Sequence, residues 1–148
     1  NGYNYRIIIA GNGEVYFDTS DFEELNILII NRYIPNKELV GLIKNTKVVV
    51  CPYTDATQSG VVMTAFAFSK PVIASAAGSF PEVIKDGITG FLVPPKDPIA
   101  LAEKIEHLIN DPVLLKSMEL NIKKNIDEGE YSWDNIIIKM VELYKSIL

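Results

Sequence analysis

The sequence predicts an α/β fold in which a parallel sheet is flanked by helices. Short runs rich in β-branched apolar residues alternate with amphipathic helical stretches, and the last third of the chain is purely helical. The apolar runs are continuous and do not alternate with polar residues, which is typical of parallel strands covered on both faces. The length of 148 residues, with 48% hydrophobic and 22% charged residues, suits one globular domain.

Short apolar runs bounded by turns predict five strands. They cover residues 6–10, 26–30, 47–51, 71–75 and 90–93. In open parallel sheets, ligands bind outside the carboxyl ends of the strands. The loops that follow these runs are therefore the places where a site is expected.

Helical periodicity predicts six helices between and after the strands. They cover residues 36–45, 61–69, 80–85, 98–110, 112 to about 129, and about 132–148. The second is apolar on all sides, so we expect it to be deeply buried. Ser132 is the expected N-cap of the last helix, which carries a long apolar stripe.

Composition excludes several classes of function. The net charge is −5 and the chain has only two arginines, so it lacks the basic stripe that a nucleic-acid backbone requires. No apolar run approaches the roughly 18 residues needed to span a bilayer. The first residues lack the pattern of a signal peptide. The chain starts almost directly on an apolar run and without an initiator Met, so we expect a fragment of a longer protein.

Reactive side chains are scarce. Cys51, the single cysteine, ends an apolar run; we expect a buried structural thiol, in keeping with a reducing compartment. His107, the single histidine, is expected at the surface of its helix or hydrogen-bonded to neighbouring residues, and not in catalysis. With no clustered ligands, we expect neither a protein-built metal site nor a nucleophile–base triad.

The turn after the first strand is a candidate phosphate-binding turn. Gly11 and Gly13 could let a phosphate approach the backbone, but the full dinucleotide fingerprint needs a small residue where Tyr16 stands. A tight exit from the strand is the favoured interpretation.

The loop after the third strand, residues 52–61, is a second candidate. It is small and polar and passes through Gly60 into an apolar helix. The N–H groups and positive dipole end of a helix N-terminus bind anions, and glycine permits close approach. A helix start capped by Thr57 or Ser59 explains the same residues, and both interpretations stay open.

Six segments of the chain resemble, in order and spacing, the motifs of one enzyme family. Residues 65–75 (AFAFSKPVIAS) look like EAMAxGKPVIAS, residues 78–84 (GSFPEVI) like GGxPEVV, and residues 86–95 (DGITGFLVPP) like DGxTGxLVPP. Residues 97–108, 34–39 and 131–133 are similar to its flanking segments. The family is that of the retaining GT-B glycosyltransferases of family four, glycosyl transferases group 1.

The resemblance implies the C-terminal half of a GT-B fold, a Rossmann-like domain that binds the sugar donor. The donor would be a UDP-sugar or GDP-sugar, bound without metal or other cofactor. The full enzyme would transfer the sugar to an acceptor in glycan, lipopolysaccharide or capsule synthesis. It would be a bacterial protein of the cytoplasm, not transmembrane, with peripheral attachment to the inner face of the membrane as the alternative.

The resemblance also implies missing parts. The N-terminal acceptor domain is absent, and the last helix, about 132–148, would normally pack on it. The first strand–helix unit of the C-terminal domain is absent as well, with the Arg and Lys that grip the diphosphate. In the family that strand lies between the strands assigned here to 6–10 and 47–51. The isolated fragment is therefore expected to be inactive.

Two positions depart from the family pattern. The family carries Glu-x7-Glu, in which the first carboxylate contacts the transferred sugar and the second binds the ribose. Ala56 and Thr64 stand at these positions, with Asp55 adjacent to the first. Residues 58–61 (QSGV) resemble a subgroup with SQSGV in this loop, which predicts that the donor is recognised by a different set of residues. No catalytic residue is assigned on this chain.

The family comparison assigns binding positions on this chain. The base is expected near Arg32, Tyr33 and Ile34, and the diphosphate near the backbone of Ser59, Gly60 and Val61. The remaining candidates for contact with the nucleotide sugar are Gly11, Gly13, Asp55, Thr57, Gln58 and Thr64.

Two alternatives stand beside a donor-binding domain. One is a nucleotide-sugar-binding module that has lost catalysis with its glutamates. The other is an unrelated dinucleotide-binding domain, which is disfavoured because no acidic residue follows a proper glycine fingerprint at the usual spacing of about 20 residues.

Overall fold

A computed structural model describes residues 5–55, 60–129 and 132–147 and shows the predicted alternation. The first elements are strands β1 (Ile7–Gly11) and β2 (Ile27–Asn31), helix α1 (Asn36–Asn45), strand β3 (Val49–Cys51), helix α2 (Gly60–Ala67) and strand β4 (Val72–Ser75). Helix α3 (Phe80–Val83), strand β5 (Gly90–Val93) and helices α4 (Pro98–Asn110), α5 (Pro112–Asp127) and α6 (Trp133–Ile147) follow.

Two helices end earlier than predicted, for local reasons. Helix α2 stops before Ser69, whose φ of 55° lies in the left-handed region that a helix cannot continue through. Helix α3 stops at Val83 because Ile84 is already extended, with φ −92° and ψ 116°.

The strands form two parallel sheets where the sequence predicted one. Strands β1 and β2 pair with each other, and β3, β4 and β5 form a second sheet in that order. The chain divides into two units at the same region, one up to Gly41 and one from Leu42 onward. The break falls between the two segments that, by resemblance, the missing strand would separate.

The first unit exposes its sheet. All five residues of β1 are exposed, and Ile7, Ile8 and Ile9 each keep more than 40% of their surface accessible. Parallel strands are usually covered on both faces. Within this unit, the described residues do not supply that cover.

The second unit has a closed core around β4. Its four residues are buried, and since neighbouring residues point to opposite faces, both faces of the strand are covered. Ile73 belongs to a cluster whose other buried members come from β5, α4 and α5: Phe91, Val93, Leu108 and Met118. Gly90 lets β5 approach β4, because a Cβ there would collide with the carbonyl of Val72.

Helix α2 is less buried than its sequence predicted. It covers Val62, Ala65 and Phe66, but Met63 keeps 42% of its surface accessible. The prediction of burial on all sides was therefore wrong. The helix packs against β3, β4 and α5, and its remaining side is open among the described residues.

Side-chain caps fix the ends of the last three helices. Asp97 Oδ1 accepts from Ala100 N at 2.9 Å, and Asp111 Oδ1 accepts from Leu114 N at the same distance. Ser132 Oγ accepts from Asn135 N at 3.3 Å, which confirms the predicted N-cap.

Helix α6 presents an apolar surface to solvent. None of its described residues is buried, and Trp133, Met140 and Tyr144 keep 77%, 49% and 63% of their surface exposed. The apolar stripe that the sequence predicts for the last helix is therefore uncovered among the described residues. No helix of the described residues is long and apolar enough to cross a membrane.

The bare face of α6 predicts concentration-dependent self-association of this chain, since exposed apolar patches drive contact. Met140→Lys should weaken that association. Leu120→Lys is the matched control, because Leu120 is 57% exposed on a different helix. Sedimentation should show oligomers of wild type and of the control, and monomers of Met140→Lys. A strict monomer for wild type at high concentration, with Trp133 shielded from quencher, would contradict this account.

Candidate functional site

The candidate residues lie at the carboxyl ends of parallel strands, where such sheets bind ligands. In the first unit, the loops after β1 and β2 hold Gly11, Gly13, Arg32, Tyr33 and Ile34. In the second unit, Asp55 follows β3, and Gly60, Val61 and Thr64 lie in α2. The candidates Thr57, Gln58 and Ser59 lie outside the described residues.

The first-unit loops are tied together by hydrogen bonds. Gly13 N donates to the Asn31 side chain at 3.2 Å, and Arg32 N donates to the carbonyl of Gly11 at 2.9 Å. The N–H of Gly13, one donor that a phosphate would use, is thus engaged within the protein. This geometry is that of a tight strand exit.

Arg32 makes a two-pronged ion pair with Glu38. Its Nη1 and Nη2 donate to the two carboxylate oxygens at 2.9 and 2.7 Å, and Nη1 also donates to the carbonyl of Tyr33. Hydrogen bonding to Arg32 lowers the pKa of Glu38, and the same bond raises the pKa of Arg32. The guanidinium therefore fixes the turn into α1. The neighbouring Tyr33 side chain is 73% exposed and so is open to solvent.

Helix α2 begins at Gly60, as the anion-site interpretation requires. A Cβ added at Gly60 would meet no atom of residues 5–55, 60–129 or 132–147 within 4 Å, its own helix backbone and chain neighbours aside. Backbone N–H groups at a helix start have no partner within the helix. The second unit therefore places a helix N-terminus after β3 in the chain, at Gly60.

Thr64 is bonded to its own helix. Its hydroxyl donates to the carbonyl of Gly60 at 2.6 Å, one turn earlier. This bond uses the only proton of the hydroxyl. Thr64 can therefore only accept a hydrogen bond from a ligand and cannot donate one. The family glutamate at this position would offer two charged oxygens.

A small cavity at the same edge of the second sheet escaped the sequence predictions. We call it the Ser75 pocket; it measures about 160 Å³, and its lining is Pro52, Thr54, Ser75, Val93, Pro94, Lys96, Asp97, Pro98 and Leu101. A larger groove of about 300 Å³ lies between α5 and residues 85–89, before β5 begins. That groove lies at the amino end of β5. Parallel sheets bind ligands at the carboxyl ends of their strands, so the Ser75 pocket is the better candidate for a ligand site.

Two lining residues distinguish the Ser75 pocket. Ser75 is 4% exposed, which makes it the one buried polar residue of the lining. Lys96 has a φ of 62°, a conformation that favours glycine. The only sequence signal was that Ser75 ends a predicted strand and that Lys96 follows one within three residues.

Tyr53 adds an aromatic side chain near this edge. Its ring lies 5.7 Å from that of Phe80, tilted by 37°, which joins the loop after β3 to the start of α3. Phe80 is buried, whereas Tyr53 keeps 39% of its surface accessible. The loops after β3 and β4 are thereby braced against each other.

The single cysteine and histidine take structural roles. Cys51 is 1% exposed, and burial raises the pKa of its thiol to about 11, which is the opposite of nucleophile activation. His107 is exposed on α4, with its ring 5.7 Å from that of Phe91. Both predictions are confirmed. The described residues contain no group of three or more His, Cys, Asp or Glu placed to hold a metal ion.

Comparison with known proteins identifies one family. The profile described as glycosyl transferases group 1 matches residues 1–127. An uncharacterized glycosyltransferase of Methanocaldococcus jannaschii is 30% identical over 147 residues, covering 97% of this chain and 37% of that protein. The capsular polysaccharide biosynthesis glycosyltransferase CapM of Staphylococcus aureus is 29% identical, covering 99% of this chain and 39% of that protein.

The fold has counterparts among solved structures. Anabaena HepE, solved in complex with UDP, matches with a TM-score of 0.72 and 21% identity, covering 95% of this chain and 41% of that one. At this identity the likeness shows the fold. The chain thus spans about two fifths of the length of each of these proteins.

The buried thiol predicts a pH dependence of stability. Because the folded pKa of Cys51 is about 11 and its ordinary value is 9.0, the unfolded thiol loses its proton first. The stabilisation is therefore complete below about pH 9 and is lost as pH rises to about 11. Chemical denaturation across this range should show a steeper fall for wild type than for Cys51→Ala, in which this titration is absent. Parallel curves would contradict the assignment.

Proposed function

We propose that this chain, which belongs to the family of glycosyl transferases group 1, is the nucleotide-sugar-binding, C-terminal part of a longer glycosyltransferase. The observation that carries the proposal is the family match over residues 1–127 on a parallel α/β fold whose described site residues lie at carboxyl strand ends. This chain spans about two fifths of the length of its relatives. That share supports the proposal that another domain of the longer protein binds the acceptor.

The proposed donor is a UDP-sugar or GDP-sugar held without a metal ion. The diphosphate would lie against the first turn of α2, where Gly60 leaves open space and the helix dipole favours negative charge. As the glycosidic bond breaks, charge grows on the leaving diphosphate, and fixed N–H groups aimed at it stabilise the transition state.

The same proposal covers the pathway and the cellular location of the full enzyme. By analogy with CapM, named for capsular polysaccharide biosynthesis, the full enzyme would build a glycan from a cytoplasmic donor. A bacterial source and an acceptor at the inner face of the membrane fit that setting. The acceptor would bind to the part of the enzyme that this chain does not include.

A second candidate is a nucleotide-sugar-binding module without catalysis. The observation that favours it is the replacement of both family carboxylates, by Ala56 and by a Thr64 whose hydroxyl is bonded to Gly60. Binding of a nucleotide sugar is common to both candidates. Transfer by the longer protein, compared with its Thr64→Glu variant, separates them.

Substitution at Gly60 tests the diphosphate position. Gly60→Val should weaken UDP binding about tenfold or more, because the added side chain displaces a charged group from its N–H donors. Its fold should be unchanged, since a Cβ at Gly60 meets no atom within 4 Å. Calorimetric titration with UDP and GDP, together with backbone amide shifts, measures both effects.

Gly41→Val is the matched control for this test, because Gly41 also lies in a helix with open space around a Cβ. It should bind UDP like wild type. UDP that shifts amides far from Gly60, with affinity indifferent to Gly60→Val, would refute the assigned position.

The 148-residue chain should transfer no sugar by itself. Catalysis of this type needs donor and acceptor held together in one closed site. The measurement is acceptor-dependent release of UDP from UDP-glucose, compared with buffer. Transfer above that background would show that this chain contains a complete active site.

A further inference from the structure

We propose that Arg32 selects the base of the donor and favours guanine, so that the donor is a GDP-sugar. The inference rests on the proposed function and adds the identity of the base to it. It starts from the guanidinium of Arg32, which three hydrogen bonds hold and which keeps one edge without a partner among the described residues.

Both partners of the Arg32–Glu38 ion pair are anchored to regular structure. Arg32 comes directly after β2, and its backbone N–H donates to the carbonyl of Gly11, the last residue of β1, at 2.9 Å. Glu38 lies in the first turn of α1. The ion pair therefore lies at the carboxyl end of a parallel strand, where sheets of this kind bind ligands.

The bonds of Arg32 use three of its five N–H protons, which lie in one plane. Nη1 has two protons and donates to Glu38 Oε2 and to the carbonyl of Tyr33. Nη2 donates one of its two protons to Glu38 Oε1 at 2.7 Å. The proton of Nε and the second proton of Nη2 remain, and they point in parallel from one edge. In the part of the chain that the structure describes, no acceptor is bonded to this edge, and the side chain is 55% exposed.

The charge around this edge favours a neutral ligand. Glu38 Oε1 lies 2.7 Å from Nη2, so the carboxylate already neutralises the guanidinium. The first unit, residues 1–41, contains six acidic and three basic residues, and an anion that approaches it meets repulsion. The edge therefore suits a neutral group that presents two neighbouring acceptors better than it suits a phosphate or a carboxylate.

Guanine presents such a pair of acceptors. Its O6 and N7 are adjacent, and an arginine binds them through two parallel hydrogen bonds. Uracil, the base of the alternative donor, has no two adjacent acceptors, because its N3–H donor separates O4 from O2. A good bidentate pair discriminates against the wrong base by about tenfold or more.

Glu38 is a positioning residue in this account, since it acts on the base only through Arg32. Glu38→Gln keeps the size of the side chain and removes its charge, so the guanidinium loses its neutralising partner. This variant should bind guanosine more weakly and inorganic pyrophosphate more tightly than wild type. A merely structural role of Glu38 would not give these opposite changes, and a variant that shows neither would overturn the positioning role.

The test titrates nucleosides on the 148-residue chain and follows the side-chain Nε–H signals of its two arginines, Arg6 and Arg32. Guanosine and inosine, which share O6 and N7, should shift the Arg32 signal and leave that of Arg6 unchanged. Uridine and 7-deazaguanosine, which lacks N7, should bind about tenfold more weakly. All four ligands are compared on wild type, so this result does not depend on the folding of a variant.

Two substitutions of arginine check the assignment. Arg32→Lys keeps the charge and loses the fork of parallel donors, so it should bind guanosine and uridine with equal affinity. Arg6→Lys is the matched control, because Arg6 also donates through a side-chain nitrogen, from Nε to Asn26 Oδ1 at 3.3 Å. It should keep the preference of wild type. A preference for guanosine that survives Arg32→Lys would overturn the inference.

Nucleotides separate this inference from the proposed function. GDP should bind about tenfold more tightly than UDP. Equal binding of the two, or tighter binding of UDP, would overturn the inference and leave the proposed function standing. Guanosine that shifts the Arg32 signal, while neither nucleotide binds more tightly than its nucleoside, would support the base site and overturn the proposed function. No response to any of these ligands would overturn both.

Discussion

The burial of β4 on both faces is the constraint on which the second unit depends. Val72, Ile73 and Ala74 are fully inaccessible, so the strand needs paired neighbours on its two edges and packed elements above and below. β3 and β5 supply the pairing, and Gly90 allows the close approach of β5. A hydrophobic strand of this kind fixes where its carboxyl end lies, and the candidate site begins there.

That end collects groups from distant parts of the sequence. Ser75 ends β4, Thr54 follows β3, and Lys96 follows β5, and all three line one pocket. The first unit differs, because its β1 is exposed along its whole length while its loops are tied by hydrogen bonds and by the Arg32–Glu38 pair. The described candidate residues thus follow a buried core strand in one unit and lie in hydrogen-bonded loops in the other.

Local patterns explain what could be predicted from sequence. Continuous apolar runs give the strands, and a cap such as Ser132 gives a helix start, because each depends on neighbouring residues. The Ser75 pocket could not be predicted, since its lining converges only after three strands pair. Nor could the bond from Thr64 to Gly60, which depends on backbone geometry inside α2. The division into two sheets depends on pairing partners that no single segment reveals.

The most direct test of the central claim is a crystal structure of this chain grown with UDP. The account predicts density for the diphosphate against the first turn of α2, within hydrogen-bond distance of the backbone N–H groups at Gly60 and Val61. Density for UDP in the groove between α5 and residues 85–89, at the amino end of β5, would contradict it. So would crystals that remain free of UDP at saturating concentration.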